Sequence, residues 1–203
     1  MKISVILGHP DMGSFSHAIA DVTVKALKGN EHTVYFHDLY QENFNPILPH
    51  YEIPKGARLD TAIQKYCNEI SDSDGIVIIH PNWWGQPPAI LKGWVDRVLC
   101  AGVAYAFAEN DRGEGIPVGL LKANTALVFN TSNTLKEREL KIFGDPLETI
   151  WKNCIFNLCG VENFYRKMFG VIVTSTHEQR SLWLKEVEET VNSNFPGNLH
   201  GYQ

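Results

Sequence analysis

The chain has 203 residues, of which 44% are hydrophobic and 20% are charged, which suits one globular domain over residues 1–203 with a full core. Lysine and arginine total 18 against 23 aspartate and glutamate, so the net charge is −5, and the dispersed charges exclude a nucleic-acid-binding protein. No run approaches the ~20 apolar residues of a membrane span, and the start has no signal-peptide core, so we expect a cytoplasmic protein.

Short apolar runs rich in β-branched residues alternate with amphipathic segments of helical length, which is typical of a parallel sheet covered on both faces. In chain order the pattern predicts strand 2–8, helix 16–27, strand 32–39, helix 60–72, strand 74–80, helix 88–100, strand 125–131, helix 146–158, strand 164–173 and helix 177–195. Five parallel strands with intervening helices predict an α/β, flavodoxin-like three-layer sandwich with strand order 2-1-3-4-5. Residues 40–58 and 101–122 are irregular and too long for simple connections, a length typical of functional loops.

Ligands of such a sheet bind outside the carboxyl ends of the strands, where the loops at 8–18, 80–88 and 130–134 should converge. The first loop, GHPDMGSFSHA, carries Ser14 and Ser16 at a helix start, whose unpaired N–H groups and dipole attract phosphate. It contains neither GxGxxG nor GxxxxGK[ST]. The sequence therefore supports neither a Rossmann dinucleotide site nor a P-loop.

The second loop, HPNWWGQPP, holds two adjacent tryptophans, Trp83 and Trp84. Side chains on consecutive residues cannot both point into one core, and the following prolines stiffen the turn. Two interpretations remain open. The indoles either form a wall for a flat conjugated ring, with the backbone of residues 81–85 at its polar edge, or form an apolar patch that a second copy buries.

Four stretches together resemble the flavin-dependent NAD(P)H:quinone oxidoreductases, the DT-diaphorase-like family, with its bacterial quinone reductase and general stress branch. They are GHPDMGSFSHA, DLYQENFNPIL, HPNWWGQPPAILKGWVDRV and GVAYAF. The resemblance implies a flavin, FMN or FAD, that takes a hydride from NAD(P)H and then passes two electrons to a quinone or similar planar acceptor. Donor and acceptor would occupy the same place in turn, which predicts ping-pong kinetics and no catalytic metal.

The resemblance also assigns residues to roles. Tyr105 and Trp84 would be catalytic, with Tyr105 on the acceptor side. The flavin-binding residues would be His9, Ser14, Phe15, Ser16, Ala18, Pro81, Asn82, Trp83, Trp84, Gly85, Asn130, Thr131, Ser132 and Asn133.

Two departures from the family pattern concern the reduced flavin. The segment 130–133 reads NTSN where many members have TTGG, and Glu137 and Phe143 stand where mammalian members have a tyrosine and a histidine. Negative charge on a reduced flavin needs preorganised donors. We therefore expect the backbone N–H groups of residues 131–133 and the side chains of Thr131 and Asn133 to supply them.

The apolar segment AGVAYAFA, residues 101–108, predicts a homodimer, because an exposed patch of that kind usually marks an interface. The family resemblance also implies a homodimer, since in that family the partner chain covers the flavin-binding cleft. The four cysteines show no CxxC spacing, so we expect free thiols and no metal site. Two other functions remain open: a flavodoxin-like electron carrier, which the modest charge of −5 disfavours, and an ancillary regulatory subunit of a potassium efflux system.

Overall fold

A computed structural model describes residues 1–54, 56–107, 115 and 117–197. Its elements are β1 Lys2–Leu7, α1 Phe15–Gly29, β2 Thr33–Asp38, α2 Thr61–Asp72, β3 Gly75–Pro81, α3 Ala89–Val98, β4 Tyr105–Ala106, β5 Val118–Gly119, β6 Thr125–Thr131, α4 Lys136–Lys141, α5 Pro146–Glu148, a π-helical segment Thr149–Phe156, α6 Asn157–Cys159, β7 Asn163–Phe169 and α7 His177–Asn194. The five long strands form one parallel sheet in the order β2-β1-β3-β6-β7. The predicted flavodoxin-like order 2-1-3-4-5 is confirmed.

The three central strands are buried along nearly their whole length, which explains their continuous apolar sequences. Alternate side chains enter two separate cores. Ile76 and Ile78 of β3 pack on the side of α2 and α3, whereas Val77 and Ile79 pack on the side of α1 and α7. This division gives the three layers of the sandwich.

The irregular stretch 40–58 is anchored to α3. Arg97 is buried, and its guanidinium donates to both carboxylate oxygens of Glu52, at 2.9 and 2.6 Å, and to the carbonyl of Asn45 at 2.7 Å. One turn earlier, a Cβ on Gly93 would lie 2.2 Å from the carbonyl oxygen of Pro46. Part of the motif AILKGWVDRV therefore packs α3 against the stretch 40–58. Gly93 lets this stretch approach the helix closely, and Arg97 donates to the polar groups of the stretch.

Several predicted boundaries were wrong. The last strand was expected to reach residue 173 but ends at Phe169, because the chain then leaves the sheet and donates from Ile172 N to the carbonyl of Ser132. The helix predicted over 146–158 forms as a continuous helical stretch whose middle is π-helical.

The stretch 101–122 contains the β4–β5 hairpin, and its residues 108–114 and 116 lie outside the described residues. None of the described helices is long and apolar enough to cross a membrane.

Candidate functional site

The loop after β1 ends in a capped helix start. Ser14 is the N-cap of α1: its hydroxyl accepts from the N–H of His17 at 3.3 Å and lies 2.9 Å from the Nδ1 atom of that residue. The Nε2 atom of His17 lies 2.9 Å from a carboxylate oxygen of Asp38, which orients the ring. Among the residues that the structure describes, none accepts from the N–H groups of Phe15 and Ser16. Unpaired N–H groups at a helix start, together with the helix dipole, favour an anion there.

The loop after β3 is a tight hairpin. Trp83 N donates to Gln86 O and Gln86 N donates to Trp83 O, both at 3.0 Å. The two residues between them, Trp84 and Gly85, have φ angles of 59° and 72°, so the turn is of type I′. A bulky residue with positive φ is strained by roughly 1–2 kcal/mol. The turn nevertheless leaves the Trp84 side chain fully exposed at its tip.

The base of this hairpin is fixed by Asn82. Its amide nitrogen donates to the buried carboxylate of Glu139 at 2.9 Å, and its amide oxygen accepts from Gly85 N at 3.0 Å. Its backbone N–H donates to Thr131 O at 2.6 Å. Gly85 is itself confined, since a Cβ there would lie 2.7 Å from Cγ of Pro146. Most of this loop's polar groups therefore hold the loop itself and are not available to a ligand.

The loop after β6 closes the edge of the site. Ser132 N donates to Phe169 O at 2.8 Å, so the expectation that this N–H stabilises reduced flavin is wrong. The side-chain oxygen of Asn133 accepts from Val173 N at 3.0 Å, which leaves its NH₂ group facing outward on an exposed residue. Within the described residues, the backbone N–H of Asn133 has no acceptor. Asn133 therefore keeps donors for a ligand.

The three loops enclose a cleft of about 420 Å³. The ring centroids of His9 and Trp83, which both line it, lie 6.2 Å apart, and burial lowers the pKa of His9, which favours the neutral imidazole. An aromatic wall, unpaired helix N–H groups and outward amide donors fit a flavin ring and its phosphate. Ten predicted site residues line the cleft: His9, Ser14, Phe15, Ser16, Pro81, Asn82, Trp83, Thr131, Ser132 and Asn133.

Comparison with known proteins decides the family. A family model described as a flavodoxin-like fold matches residues 1–189. The chain belongs to this flavodoxin-like family. It is 39% identical over 177 residues to an uncharacterized NAD(P)H oxidoreductase of Haemophilus influenzae, with 85% of each chain covered. It is 29% identical over 181 residues to NAD(P)H dehydrogenase [quinone] 1 of Rattus norvegicus, covering 78% of this chain and 64% of that protein.

Solved structures agree on the fold. The NAD(P)H:quinone oxidoreductase from Methanothermobacter marburgensis matches with a TM-score of 0.81 at 23% identity, covering 100% of this chain and 99% of that chain. The resemblance to the quinone oxidoreductase branch of the flavodoxin-like family is confirmed by these relatives.

Four predicted flavin ligands lie outside the cleft. Ala18 packs against the core on the α1 side of the sheet. Trp84 and Gly85 form the hairpin tip. Asn130 is buried under the sheet edge, where its amide oxygen accepts from the guanidinium of Arg166 at 2.9 Å. The alternation of β6 explains this last position, since Asn130 shares a face with the buried residues of the α2 and α3 core.

Tyr105 lies in a second groove, of about 670 Å³, whose walls include Cys100 and Phe107. It does not line the cleft formed by the three loops. The cleft instead includes Thr134, which lies in the predicted loop 130–134, and Ile172, which was predicted to lie in the last strand. The rule that ligands bind at the carboxyl ends of the strands could have found Ile172, because this residue follows the last strand.

The two residues that replace the mammalian tyrosine and histidine do not line the cleft either. Glu137 is exposed and pairs with Nζ of Lys141 at 2.6 Å. Phe143 is half-exposed, with the guanidinium of Arg138 5.2 Å from the centre of its ring. In the described part of the chain, no group of three or more His, Cys, Asp or Glu side chains could hold a metal ion.

Proposed function

We propose that this protein is a flavin-dependent NAD(P)H oxidoreductase with a quinone or similar planar molecule as its acceptor. The observation that carries the proposal is the convergence of the α1 helix start with the Trp83 hairpin in one cleft. The relatives, an uncharacterized NAD(P)H oxidoreductase and NAD(P)H dehydrogenase [quinone] 1, support the same chemistry. The bound flavin, FMN or FAD, would accept a hydride and pass on two electrons.

The chain's own residues bind and orient. The N–H groups of Phe15 and Ser16 would bind the flavin phosphate at the start of α1. Trp83 would pack against the flavin ring, and the NH₂ group of Asn133 would donate to its polar edge. A planar donor and a planar acceptor can occupy the open side of the cleft in turn, so no nucleophile or metal is required. Ping-pong kinetics follow from this exchange. Water at that open side would supply the proton that completes reduction of the quinone.

We propose that the active form is a homodimer. Tyr105 lines a groove separate from the cleft, so it would orient an acceptor only if it reached the cleft of a second copy. Exposed apolar side chains around that groove support a covered face: Leu48, Ile53, Phe107, Val118 and Leu120. Trp84, fully exposed in one chain, would then form a wall of the shared acceptor site. The cytoplasmic location stays a prediction from the sequence.

Two measurements test this function. Denaturing the purified protein should release one flavin per chain, and mass spectrometry of that flavin identifies it as FMN or FAD. Sedimentation at micromolar concentration should show a dimer. A protein that remains colourless and shows no flavin binding in titration contradicts the enzyme proposal, and a fully active monomer contradicts the dimer alone.

A further inference from the structure

A buried pair of aromatic side chains lies directly beneath the hairpin. Trp151 Nε1 donates to His80 Nε2 at 2.9 Å, and His80 Nδ1 lies 2.8 Å from the carbonyl oxygen of Pro81. Both side chains are fully buried. An indole N–H only donates, so Nε2 of His80 is the acceptor and carries no proton. The neutral imidazole then holds its proton on Nδ1, which donates to Pro81 O.

The π-helical segment brings Trp151 to this place. Trp151 lies within Thr149–Phe156, and single π-helical turns often occur at functional sites. Its indole stacks on Phe156, with ring centroids 5.7 Å apart. His80 is in register with Asn130 on the neighbouring strand, at the carboxyl edge of the sheet. The pair therefore connects the helical layer to the base of the cleft.

His80 fixes one peptide group of the cleft wall from below. The peptide between Pro81 and Asn82 is held at both polar atoms, since His80 donates to the Pro81 oxygen and the Asn82 N–H donates to Thr131 O at 2.6 Å. With both atoms bonded, the peptide plane cannot rotate. The direction in which the chain leaves this plane decides where Trp83 points.

We propose that His80 is a positioning residue for flavin binding: its Nδ1–H holds the Pro81 carbonyl and thereby orients Trp83 toward the cleft, and the Trp151 N–H donates to the unprotonated Nε2 of the same tautomer. The inference rests on the proposed flavin site. It adds that the site is set from the buried side of the sheet, by two side chains that do not line the cleft.

A matched pair of substitutions separates the two hydrogen bonds. The amide nitrogen of asparagine can take the place of Nδ1, whereas the amide of glutamine reaches the place of Nε2. His80→Asn therefore keeps the donor to Pro81 and loses the acceptor for Trp151. His80→Gln keeps the acceptor and loses the donor. Trp151→Phe keeps an aromatic ring and removes the N–H that donates to Nε2.

Titration of the flavin-free protein with FMN, and in parallel with FAD, gives the first result. His80→Gln should raise the Kd about tenfold for whichever of the two flavins binds more tightly. It should also shift the visible absorption and circular dichroism of the bound flavin. His80→Asn should stay within about threefold of the wild-type Kd, with an unchanged spectrum, although both variants lose one hydrogen bond. Equal Kd values and spectra for both variants would overturn the positioning role.

A second measurement does not depend on flavin or on the stability of the His80 variants. Nitrogen-15 NMR of the flavin-free wild type should find His80 neutral and protonated on Nδ1, and in Trp151→Phe the proton should stay on Nδ1, because the Pro81 carbonyl can only accept. A proton on Nε2 in the wild type would overturn the inference. Failure of the wild type to bind either flavin is a different result, because it removes the proposed function itself.

Discussion

Replacing Trp84 with asparagine should make the flavin-free chain more stable while it impairs the enzyme. Trp84 holds the first central position of a type I′ turn at φ 59°, where asparagine followed by glycine is strongly preferred. The indole is fully exposed, so its removal loses no burial within the chain. Relief of the strain is worth roughly 1–2 kcal/mol. In a chain of this length, that raises the Tm by about 2–8 °C.

The assay is thermal unfolding of flavin-free protein, followed by circular dichroism at a concentration below dimerisation. Trp83→Asn is the matched control, because Trp83 has no positive φ and is more than half buried, so its loss should lower the Tm. Trp84→Asn should also reduce kcat/KM for a quinone about tenfold, a trade of stability for activity. A lower Tm for Trp84→Asn would refute the strain argument, and full quinone reductase activity would refute the catalytic role.

Three further predictions follow from particular contacts. In stopped-flow measurements, Asn133→Ala should slow flavin reduction by NAD(P)H about tenfold, which corresponds to ~1.4 kcal/mol of lost transition-state stabilisation. Tyr105→Phe should instead slow mainly the oxidative half-reaction. Burial lowers the pKa of His80 to about 4, so below pH 6.5 the unfolded chain binds more protons than the folded chain. Urea titrations should therefore show that about 3 kcal/mol of the free energy of unfolding is lost between pH 6.5 and 4. An equal loss in His80→Asn would contradict this. Gly93→Ala should lower the free energy of unfolding, measured by urea titration, by about 3 kcal/mol, because its Cβ would meet a carbonyl oxygen at 2.2 Å. Gly29→Ala, in open space, should leave it unchanged.

The sheet was predictable because its central strands are continuous apolar runs, and such runs have few alternatives to a buried parallel strand. The convergence of the loops after β1, β3 and β6 was predictable from the same parallel topology, because the carboxyl ends of parallel strands lie at one edge of the sheet. That the two tryptophans do not share one core was foreseen from their adjacency, but the type I′ turn was not, since tryptophan is a poor residue for positive φ. Only the surrounding contacts of Asn82 and Gly85 make that turn necessary.

Asn130 was assigned to the flavin, together with Thr131, because the resemblance places it in the family's third flavin loop. Its side chain instead meets Arg166, a residue 36 positions later in the chain. The role of His80 was missed for the same reason, because its partner Trp151 is 71 positions away. Local pattern cannot reveal a buried hydrogen-bond partner that only the strand register and a π-helical turn bring into contact.

The most direct test of the account is an anaerobic titration of the purified protein with its flavin bound. One equivalent of NADH or NADPH should bleach the yellow absorption, and one equivalent of a benzoquinone should then restore it with no other protein present. Absorption that neither nucleotide bleaches, or that returns only when a partner protein is added, would contradict a flavin-dependent NAD(P)H:quinone oxidoreductase.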